Sequence, residues 1–112
     1  MAVHEFLAPD ENIRFSSKSP VDFMGEQYDF HITNKRLIWH KQTGLIFKKN
    51  NFVAEMIERV KSLQFKEEGL IFKKGTIVFS LGDRKKEFSG DLRNIRALYN
   101  EIQSLMDIEV KE

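Results

Sequence analysis

The sequence predicts a mainly β fold of α+β type, antiparallel strands closed by one C-terminal amphipathic helix, and three observations carry that prediction. Two alternating apolar runs meet at Asn34-Lys35, and a second pair meets at Gly82-Asp83. From Asp91 onward the apolar period changes from two to about 3.6 residues. A chain of 112 residues with 41% hydrophobic side chains and ten Phe has material for one domain, residues 1–112, around a single core.

Residues 1–10 suit a short helix or a flexible arm that ends at Pro9-Asp10, and Asn12 to Ser17 reads as the first strand. Ser16 to Pro20 is a polar, proline-ended connection. Gln27 to Thr33 and Arg36 to Lys41 then form a hairpin in which Asn34 is expected to take the positive φ of a two-residue turn. Pairing outward from that turn sets Ile32 against Leu37, Phe30 against Trp39 and Tyr28 against Lys41 on a core face. The other face, with His31 against Ile38 and Asp29 against His40, can stay wet. Aromatic cross-strand pairs of this kind contribute roughly 0.2–1 kcal/mol each.

Phe52 to Ile57 and Val60 to Lys66 are two further strands, separated by Glu58-Arg59. Glu, Met and Arg would allow a helix across Val53 to Leu63, but the β-branched and aromatic neighbours favour strands. The hexapeptide Gly-Leu-Ile-Phe-Lys-Lys occurs twice, at Gly44 to Lys49 and at Gly69 to Lys74, each time followed by a turn signal and an apolar strand. Two copies are too few for a solenoid. Two readings stay open: each copy is a hairpin arm, or each is a short loop that tucks one Phe into the sheet edge.

Ile77 to Leu81 leads through Gly82-Asp83 into Arg84 to Ser89, and Gly suits the first position of a II′ turn. Two-residue pairing sets Phe88 opposite Ile77 and Lys86 opposite Phe79, so Lys86 has to carry its ammonium past an aromatic ring. In the helix predicted over 91–108, Leu92, Ile95, Leu98, Tyr99, Ile102, Leu105 and Met106 fall on one stripe, with Asp91 as N-cap at the positive end of the helix dipole. Burial of five large aliphatics along that stripe contributes on the order of 10 kcal/mol before ordering entropy is counted.

Eighteen Lys and Arg against 17 Asp and Glu leave a near-zero net charge, which argues against a dedicated nucleic-acid binder. With no Cys there is no disulfide framework, thiolate chemistry or Cys-based zinc site, and a reducing, cytoplasmic setting is expected. Residues 1–15 are interrupted throughout by polar and charged side chains, without the apolar core of a signal peptide, and no membrane-spanning run is expected.

The stretch Thr33-Asn34-Lys35-Arg36-Leu37-Ile38-Trp39 resembles the Thr-Asn-x-Arg-Leu-hydrophobic hairpin of bacterial pleckstrin-homology-like (PH-like) and GRAM-like domains. Glu58-Arg59-Val60-Lys61-Ser62-Leu63 resembles the segment where that family places an apolar-x-Ser-Val/Leu strand, and the similarity runs from Asn12 to Met106. It implies a partly open antiparallel β-barrel or sandwich of about seven strands, plugged by the helix and used for binding without catalysis. Relatives that grip phosphoinositides cluster Lys and Arg between their first two strands. Here Ser16 to Gln27 carries Lys18 alone, together with Asp22 and Glu26. Some bacterial relatives form ring homo-oligomers through edge strands, which implies a second copy of the chain as a partner.

Between Asp29 and Glu55 there is no acidic residue, while Lys35, Arg36, Lys41, Lys48 and Lys49 supply five positive charges interleaved with Trp39, Phe47 and Phe52. These five and Lys18 are the candidate binding residues. If 45–49 is a strand, Lys35, Arg36, Lys48 and Lys49 reach one rim; if it is a loop, they split between two ends. Three readings stay open: a solvated edge whose lysines discourage pairing, an anionic membrane or phosphate surface, and an acidic protein partner. Leu45-Ile46-Phe47 is expected to cover the core, the alternative being insertion into a membrane interface. Asp29 and His40 are expected to share a surface hydrogen bond, and neither a catalytic nor a metal site, nor a cofactor, is expected. The function that follows is a protein-interaction or self-assembly module, with peripheral binding to anionic lipid headgroups through 35–49 as the alternative.

Overall fold

The computed structural model describes residues 3–71 and 73–110, with side chains as far as residue 106. In chain order the elements are α1 (Val3–Phe6), β1 (Ile13–Ser16), β2 (Val21–Phe23), β3 (Glu26–Thr33), β4 (Arg36–Thr43), β5 (Lys49–Met56), a 3-10 turn (Ile57–Arg59), β6 (Ser62–Glu68), β7 (Lys74–Ser80), β8 (Lys85–Asp91) and α2 (Leu92–Val110). The strands run antiparallel in the order β5-β4-β3-β2-β8-β7-β6, with β1 added to β3. β3 is the shared strand: Glu26 to Tyr28 pair with β2, and His31 to Thr33 lie beside β1.

The path curls back on itself. β5 and β8 are four strand spacings apart, about 19 Å in a flat sheet, yet Lys86 Nζ on β8 lies 3.0 Å from Glu55 Oε2 on β5. Trp39 on β4 likewise stacks on Phe79 of β7 at 5.7 Å between ring centroids. Among the described residues β5 and β6 do not pair with each other, so the barrel stays open, and α2 packs over β6, β7 and β8. The core gathers around Trp39, which contacts the rings of Phe23 (4.3 Å), Phe30 (5.0 Å) and Phe88 (5.5 Å) as well. Ile95, Leu98 and Ile102 close it from the helix, all fully buried. A Cβ at Gly75 of β7 would stand 2.9 Å from Ile95 Cβ, so a residue without a side chain is what lets the helix approach this closely.

The predicted registers of both hairpins hold: Ile32 faces Leu37, Phe30 faces Trp39, and Asp29 faces His40, while Ile77 faces Phe88 and Phe79 faces Lys86. Gly82 has a φ of 87° and Leu81 N–H donates to the Arg84 carbonyl at 2.8 Å, closing the second turn. Asp91 accepts from Asn94 N–H at 3.3 Å, as an N-cap does.

Four expectations are corrected. First, Val21–Phe23 is a strand, joined to β3 by the turn Met24-Gly25, whose φ values of 53° and 80° are both left-handed. Second, the positive φ expected at Asn34 is absent; the Thr33 hydroxyl accepts from the N–H groups of Lys35 (3.0 Å) and Arg36 (2.8 Å) across the turn. Third, the face expected to stay wet is partly roofed by the N-terminal segment: Phe6 stacks on Phe52 at 4.1 Å, and Ile38 is fully buried. Fourth, His40 bonds not to Asp29 but to Asn50 Oδ1 (2.9 Å), while His31 Nδ1 meets Ser16 Oγ (2.8 Å).

Candidate functional site

The basic stretch is divided by carboxylates that lie outside it in sequence. The Arg36 guanidinium grips Glu11 with two bonds, Nε to Oε2 at 3.0 Å and Nη2 to Oε1 at 2.7 Å, and it lies over the Phe6 ring. Glu11 also accepts from the Thr33 hydroxyl (2.6 Å) and from Ala8 N–H (3.0 Å), and its side chain is wholly enclosed. Those donors, Arg36 first, outweigh desolvation and hold the carboxyl at about 2. Next to this cluster Lys35 pairs with Asp10 at 2.6 Å, while Asn34 accepts from Asn12 N–H and donates to the Asp10 carbonyl. Thr33, Asn34, Lys35 and Arg36 therefore fasten the arm before β1 onto the first hairpin. Lys41 is paired with Glu26, its ammonium 5.3 Å from the Tyr28 ring centroid, which is where the predicted register puts it.

Lys48 and Lys49 are different. Both are exposed, and among the described residues neither has a carboxylate partner. Lys48 ends and Lys49 follows the loop, Gly44 to Lys48, that forms the tip of the β4–β5 hairpin, and the expectation that Leu45-Ile46-Phe47 covers the core is overturned: these residues are 95%, 84% and 90% exposed. Gly44 sets the geometry. Its φ is 92°, and the Phe47 carbonyl oxygen occupies the space that a Cβ would need, so the chain turns outward before the apolar residues can fold back. The second copy of the hexapeptide is a tip as well, between β6 and β7, with Leu70 and Ile71 96% and 84% exposed; the expectation for Phe72 lies outside the described residues.

The loop splits the candidate cations between two ends. Lys35 and Arg36 stand at the 34–35 turn, whereas Thr43 pairs with Lys49 at the far end of the same ladder. That far end also carries the Met24-Gly25 turn, because β3 starts there at Glu26, and Met24 is 68% exposed. Lys18 lies elsewhere, on a groove of about 510 Å³ beside Phe15, Arg93 and Asn94, where its backbone N–H donates to Asn94 Oδ1 at 3.1 Å. Among the described residues no three His, Asp or Glu side chains stand close enough to hold a metal ion, and no helix is long and apolar enough to cross a membrane.

What the first tip offers a partner is three solvated apolar side chains directly followed by two exposed ammonium groups. An apolar triplet between strands reads first as core, and the sequence signal for its exposure is Gly44, the residue that the outward turn requires.

No model of a known protein family matches the chain, and none of the curated proteins does. Among solved structures the fold is similar to the crystal structure of a pleckstrin homology domain from Shewanella amazonensis, with a TM-score of 0.51 and 18% sequence identity over 75% of this chain and 74% of that one. The open antiparallel barrel with its C-terminal helix is thus a PH-like fold.

Proposed function

We propose that this PH-like module is a non-catalytic, cytoplasmic protein that docks peripherally on anionic membrane surfaces through the β4–β5 tip. The observation that carries the reading is the exposure of Leu45, Ile46 and Phe47 beside Lys48 and Lys49. Transfer of such side chains out of water is worth about 1.5–3 kcal/mol each when burial is complete, and each cation near an anionic leaflet adds about 1 kcal/mol. Stable peripheral binding takes two signals of this kind together. Met24, at the same end, supplies a further apolar contact.

The test is cosedimentation with phosphatidylcholine vesicles, with and without phosphatidylserine. Reversing Lys48→Glu and Lys49→Glu changes four charge contributions of about 1 kcal/mol each and is expected to weaken binding to the anionic vesicles on the order of a hundredfold or more. Unchanged binding by that variant excludes the site. A second reading, docking of a protein or of another copy of this chain, is favoured by the outer edges of β5 and β6, which no strand covers among the described residues. Light scattering behind size exclusion separates the two. A particle much larger than 13.2 kDa that persists at high salt supports assembly, and a monomer at high protein concentration counts against it.

A further inference from the structure

We infer that the β6–β7 tip is a second membrane-docking element and that one molecule bridges two anionic bilayers; the inference rests on the membrane reading proposed for the first tip. The two tips share more than a hexapeptide. Each copy begins with a glycine of positive φ, 92° at Gly44 and 108° at Gly69, and in each the strand resumes at the sixth residue, Lys49 or Lys74. Leu45 and Leu70 are 95% and 96% exposed, and Ile46 and Ile71 are both 84% exposed. In both tips a left-handed glycine is followed by an exposed Leu-Ile pair, so the same apolar chemistry is presented twice.

The register sends the tips apart. The first tip shares its end of the β3–β4 ladder with the Met24-Gly25 turn, and β2, β8 and β7 pair so that the Gly82-Asp83 turn faces that end too. The second tip leaves from the opposite end of β7, where Lys74 pairs with Asp91 at the start of α2. Seven residues of β7 at about 3.3 Å each put roughly 20 Å between the two ends of that strand. An interface that receives side chains to a depth of about 5–10 Å at the first end therefore leaves the second tip in water, free for another bilayer. The second tip is the weaker of the two, because Lys74 faces Glu68 across the ladder and Glu67, paired with Arg96, stands at its base.

The experiment adds the full chain, shown to be monomeric by light scattering, to phosphatidylcholine–phosphatidylserine vesicles and follows vesicle size alongside cosedimentation. Clustering is expected to rise, pass through a maximum and fall as protein saturates every surface. In the double variant Leu70→Asp, Ile71→Asp, clustering is expected to be lost while binding falls by no more than about twofold, the weight of one of two sites. Both residues are solvent-exposed, and an unchanged thermal midpoint certifies the fold. Binding without clustering by the unaltered chain overturns the bridging and leaves the first site standing. Clustering that survives in the variant places the bridge elsewhere and overturns the inference. Absence of binding to anionic vesicles overturns this inference and the membrane reading together.

Discussion

Glu11 is the hub of a dense polar cluster between the N-terminal arm and the first hairpin. Its two oxygens take bonds from Arg36, Thr33 and Ala8, so the carboxyl, ordinarily near 4.5, sits at about 2 in the folded chain. A carboxyl depressed in this way stabilises the fold fully above pH 4.5, and the contribution fades as pH falls toward 2; at neutral pH it is worth on the order of 3 kcal/mol. Glu11→Gln is expected to lose about that much at pH 7 and to flatten the acid limb between those two values, read by urea denaturation at a series of pH values. His31 acts at milder acidity. Burial lowers its pKa below 6.5, so the unfolded chain takes up a proton first and stability declines as pH drops below that value. His31→Gln is expected to remove this shallower decline while leaving the Glu11 limb intact.

At the scale of elements, both long hairpins were legible because alternation over six or more residues fixes register as well as strand identity. Likewise α2 was legible from its stripe, and the buried Ile95, Leu98 and Ile102 fall on it. β2 was not, since Val21-Asp22-Phe23 is too short to show a period and its left-handed turn begins at Met24, a residue with no turn signature. The polar fastenings of the first hairpin were hidden for another reason: Glu11 and Thr33 are 22 residues apart, and Glu11 and Arg36 are 25, distances at which no local pattern connects two residues. Charge counting singled out Lys35, Arg36, Lys41, Lys48 and Lys49 alike, but it could not see that Asp10, Glu11 and Glu26 would come to the first three. Packing of α2 on β7 gives a test at this scale. Gly75→Ala sets a methyl against Ile95 and Phe65 and is expected to cost about 1–3 kcal/mol of unfolding free energy, whereas an alanine at the exposed Ser104 is expected to cost under about 0.5 kcal/mol.

For the molecule as a whole, curvature is set by aromatic rings on the inside and by one ionic strap. The Lys86–Glu55 pair ties the two halves of the open sheet where, among the described residues, no backbone ladder joins them, and both side chains are largely shielded from solvent. A double-mutant cycle with Lys86→Met and Glu55→Gln is expected to return a coupling of about 1–2 kcal/mol, and a value near zero would make the rings alone responsible. Trp39, at the centre of those rings, is fully buried, and among the described residues its indole N–H has no acceptor. It is also the chain's single Trp. Its emission is therefore expected to be that of an indole shielded from solvent and to shift to longer wavelength when the barrel opens. A bilayer that meets the solvent-exposed tip leaves this emission unmoved. One native fluorophore thus distinguishes a molecule that has docked from one that has come apart.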